Sequence, residues 1–352
     1  MEFYISTLVV YFGIDLLSAW SLNLQFGYAG VPNFAYIVFQ SIGAYTAAVL
    51  TLGPDSGVNS FQHYLFGASL PFPIPLIAAT LAGGLLSLIL GSFALRRIRR
   101  DYQAAVLLIV SLIATQVIST AVSIFNGSNG LTGVPKPFSG VLNLSLINYQ
   151  WAYAAYVLVI CVGVYFLLRR LLRSNWGRAI RAVRDHEDAA ATVGLNGTRM
   201  RMHAFVLGGM IAGLSGALLV QFVNAWSPAS WGYAETFGVL TAVIIGGVAN
   251  NKGAIVGTLL VQIIFLQLPS FLPQIGYPGL TAALQWIVIG GIWLIFMAVR
   301  PKGLLPERRY SVDLARFGLR EKASKRLLGD DHDEAGSNGA PAESSIEAEV
   351  LS

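Results

Sequence analysis

Apolar stretches as long as a lipid bilayer is thick recur along most of this chain, and few sequence features constrain a fold so tightly. A spanning helix needs ~20 mostly apolar residues. Such runs occupy roughly residues 4–26, 34–52, 73–95, 103–125, 151–172, 204–223, 235–250, 254–269 and 283–299. Lipid offers no partner to backbone N–H and C=O groups, so each run is read as a helix that satisfies its own. The expected fold is all-α, a polytopic transmembrane helical bundle of about 8–9 spans. The runs 235–250 and 254–269 are short and are read as half-helices or re-entrant pieces. Charge supports the class: 12% of residues are charged, against about 25% in soluble domains.

The placement of positive charge orients the bundle. Of the 23 basic residues, only Lys136 lies outside four segments, which begin near Arg96, Arg169, Lys252 and Arg300. These four share one face if the runs alternate, and the positive-inside rule makes that face cytoplasmic. The N-terminus is then outside and the C-terminus inside. The opening Met-Glu-Phe-Tyr-Ile-Ser lacks a basic leader and a cleavage pattern, so the first run is read as a retained helix. The transmembrane domain is placed at 1–305, with an external loop at 126–150 and a cytoplasmic loop at 174–203. The tail 306–352 becomes acidic and polar and is expected to be disordered after about 329. The cytoplasmic loop is rich in helix formers, and Gly194 suits a helix C-terminus before Asn196-Gly197. A surface helix of about three turns is expected there.

Catalytic chemistry finds little support. The chain has no phosphate-binding glycine loop with its Lys-Ser/Thr. His186-Glu187 begins like a zinc-protease motif, but Ala190 stands where its second histidine would fall. Cys161 is the lone cysteine and cannot build a disulfide framework or thiolate cluster. No catalytic residue, metal site or nucleic-acid surface is assigned, and the expected job is to move a solute across the membrane.

Within the runs, Asp15 either lines a pathway or makes a satisfied structural contact, since a central charge costs about 2.5–3.5 kcal/mol on insertion scales. Gln40, Gln116, Gln221, Gln262 and Gln285 are read chiefly as interhelical hydrogen-bonding groups. Gly209-x-x-x-Gly213 and Gly253-x-x-x-Gly257 suit close helix packing. The stretch from Gly27 to Asn33 is either a broken helix offering backbone groups to a solute or a plain cytoplasmic turn, with Asn33 as N-cap.

The loop from Gly177 to Asn196 closely resembles the cytoplasmic loop of permease subunits of branched-chain amino acid ATP-binding-cassette transporters. It carries Glu187, then Ala189-Ala190, then three residues and Gly194, the pattern of an importer coupling helix. Leu22-Asn23 through Gly30, Gly43-Ala44-Tyr45-Thr46, Asn129 through Pro135, Ser227-Pro228, Gly246-Gly247 and Arg300 through Leu305 also match the family. The resemblance spans about residues 20–305. It implies a bacterial-type inner-membrane importer for branched-chain or related amino acids. Its partners would be a second homologous permease, two cytoplasmic ATPases that hold ATP and Mg, and an external solute-binding protein. Coupling to the ATPases would fall to Arg184, Glu187, Ala189, Ala190 and Gly194. The substrate pathway would involve Asp15, Asn23, Gly27, Tyr28, Gly30, Asn33, Gly43 and Tyr45. After Gly30 the chain departs from the family with Val31-Pro32-Asn33-Phe34, so urea and short amides stay open as substrates. A stand-alone secondary transporter is the competing class. It would need intramembrane coupling carboxylates, and only Asp15 is central, with Glu235 near an interface.

Overall fold

The computed structural model describes residues 2–54, 62–137 and 145–261, with 287, 290–291, 294–295, 298–300 and 303–307. All belong to one unit, Met1–Glu307. The tail from 308, most of the expected run 283–299 and the second half of the run 254–269 lie outside the described residues.

Helices α1 (Glu2–Leu22), α2 (Tyr36–Thr51), α3 (Ile74–Arg97), α4 (Arg100–Thr120) and the single turn α5 (Val122–Phe125) form the first half. Then follow α6 (Leu146–Arg173), α7 (Asn175–Asp185), α8 (Glu187–Thr192), α9 (Gly197–Val223), α10 (Tyr233–Gly246) and α11 (Asn251–Leu260). Among the described residues five helices are long and apolar enough to cross a membrane, and α2 is a shorter apolar helix. The two short runs are α10 and α11, bent by 120° at the break between them. One departure from an all-α fold is a short ladder packed against the helices, where Leu131–Thr132 pairs antiparallel with Ala225–Trp226.

Helices α2, α3 and α9 pack backbone to backbone. A Cβ on Gly213 would meet the Ala79 carbonyl at 2.5 Å, and one on Gly83 would lie 2.9 Å from Gly213 Cα. Without Cβ atoms the helices approach closely enough for dispersion to hold them where lipid supplies no hydrophobic drive. The expected small-residue seam at Gly209 and Gly213 is therefore real. Its counterpart at Gly253 packs α11 against α10, where a Cβ would meet the Gly246 carbonyl at 2.5 Å. Helix α1 lies against α6, α9, α10 and α11. Ser6 donates to Gln150 Oε1 at 2.8 Å, and Gln40 Nε2 donates to Ser18 Oγ at 3.3 Å. Cys161 is buried, its thiol donating to the Gly13 carbonyl at 3.2 Å. The outward faces of α3, α4 and α6 carry exposed Leu, Ile, Val and Phe, including Leu85, Ile113 and Val159.

The loop 174–203 forms two helices where the sequence predicts one. The break falls at His186, whose backbone is extended (φ −147°, ψ 93°). Helix α8 then ends in a Schellman turn: Gly194 N–H donates to Ala191 O and Leu195 N–H to Ala190 O, both at 3.0 Å, with Gly194 at φ +83°. Asn196 caps α9 by accepting from Arg199 N–H at 2.9 Å.

Candidate functional site

Helix α1 does not stop at Leu22. It loosens into a π-helical segment, Asn23–Tyr28, before the chain turns at Gly30 (φ +67°). Such segments displace hydrogen bonds from the regular ladder and recur at functional sites. Here side chains at the break find long-range partners. Asn23 Oδ1 accepts from Ala249 N–H at 2.9 Å, and its Nδ2 donates to Asn251 Oδ1 at 3.3 Å. Trp20 Nε1–H donates to the Asn251 carbonyl at 3.0 Å. The break after α1 thus interlocks with the break between α10 and α11. Gly27 sits in the contact, where a Cβ would lie 2.7 Å from Ala249 N.

The end of α10 leaves carbonyls without intrahelical donors. The segment after Gly303 supplies them: Leu304 N–H donates to Ile245 O at 2.9 Å and Leu305 N–H to Gly246 O at 3.0 Å. Asn250 Nδ2 returns a bond to the Leu305 carbonyl at 3.0 Å. A sequence-distant strap therefore closes the second break.

Helices α7 and α8 dock onto this junction through arginines. Arg184 Nη1 donates to the Gly27 carbonyl at 2.7 Å, its Nη2 reaches Glu307 at 2.7 Å, and its Nε reaches Asp185 at 2.9 Å. Burial disfavours its charge, but Asp185 and Glu307 outweigh this and hold the guanidinium above its ordinary value. It stays charged throughout any working pH range. Arg181 lies 3.5 Å from Glu307 and stacks its guanidinium over the Tyr28 ring, 5.3 Å from the centroid. Glu187 pairs with Arg201, which is buried on α9.

The candidate coupling residues therefore face two ways. Arg184 and Glu187 point into the protein and hold the helices down. Ala190 is also buried, at 4% exposure. Ala189 and Gly194 are exposed, beside Val193 at 75%. Of the candidate pathway residues, Asn23, Gly27, Tyr28, Gly30 and Asn33 gather at the junction. Asn33 does not cap α2, whose N-cap is Ala35. It makes a local turn by accepting from Ala35 N–H at 3.0 Å, and it donates to Gln25 Oε1 at 2.6 Å.

Gly43 and Tyr45 lie apart from this group. Gly43 abuts the Gly213 backbone in the helix seam. Tyr45 anchors an aromatic cluster, its ring 4.7 Å from Phe125 and 5.2 Å from Trp226, with its hydroxyl donating to the Ile124 carbonyl. Asp15 is half-buried along α1, within electrostatic reach of Glu235. Arg181, Arg201, Asn251 and Glu307 were not singled out as site residues from sequence. A buried-arginine signal existed only for Arg201, which stands next to a strongly apolar run.

Comparison with known proteins places this architecture. The chain is 26% identical over 337 residues to the probable branched-chain amino acid transport permease protein LivM of Methanocaldococcus jannaschii, covering 86% of this chain and 94% of the relative. It is 28% identical over 321 residues to the high-affinity branched-chain amino acid transport system permease protein LivM of Escherichia coli, covering 86% and 70%. The probable LivH permease of M. jannaschii is 26% identical over 258 residues, covering 72% and 77%. No solved structure matches. The family described as branched-chain amino acid transport system, permease component, matches residues 4–297. With that match spanning the whole described bundle, the chain belongs to the branched-chain amino acid transport permease family.

Proposed function

We propose that this multi-pass permease forms the membrane pathway of an ATP-driven importer for branched-chain amino acids. A second homologous permease would complete the pathway, two cytoplasmic ATPases would hold ATP and Mg, and an external solute-binding protein would deliver substrate. The family match carries the transport assignment. The relatives' names favour leucine, isoleucine and valine over urea or amides. The one-sided basic segments favour an external N-terminus and a cytoplasmic C-terminus in a bacterial-type cell membrane.

The coupling role rests on the arginine dock. An ATPase that closes against the exposed face of α8, at Ala189, Val193 and Gly194, would move α7 with it. Arg184 would carry that motion to Gly27 and to the strap at Glu307. The two interlocked breaks would then shift between outward and inward arrangements, as packed elements with two discrete states can.

ATP-driven uptake of labelled leucine into vesicles holding the co-expressed subunits tests the reading. Uptake should require ATP, and excess isoleucine and valine should compete while urea should not. Ala189→Arg should abolish uptake and leave the chain in the membrane. Uptake that persists without ATP, or in Ala189→Arg, overturns the coupling assignment. Competition by urea overturns the substrate.

A further inference from the structure

Helix α6 carries one exposed stripe along its length. Trp151, Val159, Val162, Phe166, Arg170 and Arg173 are all exposed and fall at steps of three, four or eight residues, the spacing that places side chains on one helix face. Val159, Val162 and Phe166 are each more than half exposed. Helices in membranes meet through small or polar residues, as α3 meets α9 at Gly83 and Gly213. Branched and aromatic side chains on this stripe suit acyl chains instead. At 1.5 Å per residue, Arg173 lies about 33 Å along the axis from Trp151, against ~30 Å of hydrocarbon. A tryptophan and two arginines thus bracket the stripe at the two headgroup levels.

The arginines of this region divide into two kinds. Arg181, Arg184 and Arg201 each have a carboxylate partner, Glu307 or Glu187. Arg169, Arg170 and Arg173 are exposed, and among the described residues they make no ion pair or side-chain hydrogen bond. A helix C-terminus favours a cation in its last turn, but three like charges at these spacings repel one another. An anion between Arg170 and Arg173 relieves that repulsion. Their Cβ atoms are about 5–6 Å apart by helix geometry, and two planar guanidinium forks at that spacing can grip one phosphate. The apolar stripe leading up to them selects a phosphate that brings acyl chains with it, and a zwitterionic lipid would bring a cation of its own. We propose that the end of α6 binds an anionic phospholipid, with its phosphate between Arg170 and Arg173 and an acyl chain along Phe166, Val162 and Val159. Arg181 Nη2 donates to the Leu172 carbonyl at 3.2 Å, so the turn that holds the lipid also holds α7. The site depends on the chain lying in a membrane and not on what the chain imports.

Photo-crosslinking tests this on the full-length chain with its co-purifying subunits. The chain carries p-benzoylphenylalanine at position 166 and sits in nanodiscs of equal parts phosphatidylglycerol and phosphatidylcholine. Mass spectrometry of the crosslinked peptide then counts the two lipid adducts. Phosphatidylglycerol adducts should outnumber phosphatidylcholine adducts about twentyfold, and the ratio should fall about fivefold with each of Arg170→Gln and Arg173→Gln. Arg170→Lys with Arg173→Lys should give an intermediate ratio, because lysine keeps the charge without the fork. Arg96→Gln with Arg97→Gln removes two exposed charges from the end of α3 and should leave the ratio unchanged. If the double glutamine variant does not accumulate, Arg173→Gln alone carries the test. Equal numbers of the two adducts in the unmutated arginine background overturn the site, as does an equal fall with the α3 pair. A ratio that drops to unity on adding inorganic phosphate makes the ligand a free anion and overturns the lipid. A crosslink to polypeptide, whether a second permease or another stretch of this chain, shows that protein covers the stripe and overturns it too.

Discussion

The α2–α3–α9 seam and the junction of the two helix breaks are both tightly packed, but different forces hold them. The seam is closed by shape: glycines let backbones touch, and nothing in it can change partner. The junction is closed by directed bonds between the side chains of Asn23, Trp20, Asn250 and Arg184 and backbone groups distant in sequence. Shape complementarity resists sliding, whereas hydrogen bonds and ion pairs can be exchanged one for another at modest net cost. Exchangeable bonds of this kind suit the junction to rearrange, and close backbone contact suits the seam to stay fixed.

The largest effect should come from breaking the seam. Gly213→Leu forces a side chain against the Ala79 carbonyl and should cost more than ~3 kcal/mol, read as loss of folded chain from the membrane fraction. Gly163→Leu on α6, where a Cβ meets nothing within 4 Å, should accumulate normally. Comparable loss in both would show that the seam has no special role.

Next, Glu187→Ala strips the partner from buried Arg201. An uncompensated buried charge costs about 3 kcal/mol, the lower end of the range because Glu187 is partly exposed. A thermal melt should show it, and the double variant Glu187→Ala, Arg201→Met should recover most of the loss.

Arg184→Met removes the bonds to Gly27 and Glu307. About 2 kcal/mol of stability should go with them, while ATP-driven uptake falls much further than the melt explains. Arg184→Lys keeps the charge but lacks the planar fork, and should restore stability better than transport. A parallel fall in both quantities would reduce the dock to ordinary packing.

The smallest effect is expected of Asn250→Ala, which loses the cap on Lys252 N–H and the tie to Leu305. About 1 kcal/mol is expected, measurable as a small drop in melting temperature with transport retained.

Much of this was legible in the sequence where the cause is local. Apolar runs make helices because lipid leaves the backbone no other partner, and the observed α1, α3, α4, α6 and α9 follow those runs. Gly194 ends a helix and Asn196 starts one, since each acts on groups within five residues. The Gly209–Gly213 spacing reported a close approach without naming the partner helices. Other features needed the folded chain. Ala189 and Ala190 are identical in sequence, yet one is exposed and the other buried. His186 breaks a helix although Arg184, Glu187 and the alanines that follow favour continuing. Tyr45 and Gly43 resemble the family as strongly as Asn23 does, but they serve an aromatic cluster and a helix seam.

By itself, then, the sequence determined a helical membrane bundle, because hydrophobic run length and short-range capping act within a few residues. Only the tertiary structure decided that Asn23 meets Ala249, that Arg184 caps Gly27, and that the strap at Leu304–Leu305 closes α10. Each joins groups dozens to hundreds of residues apart. A hydrogen bond of that kind leaves no periodic trace in the chain; it exists only once packing has brought two unsatisfied backbone or side-chain groups together.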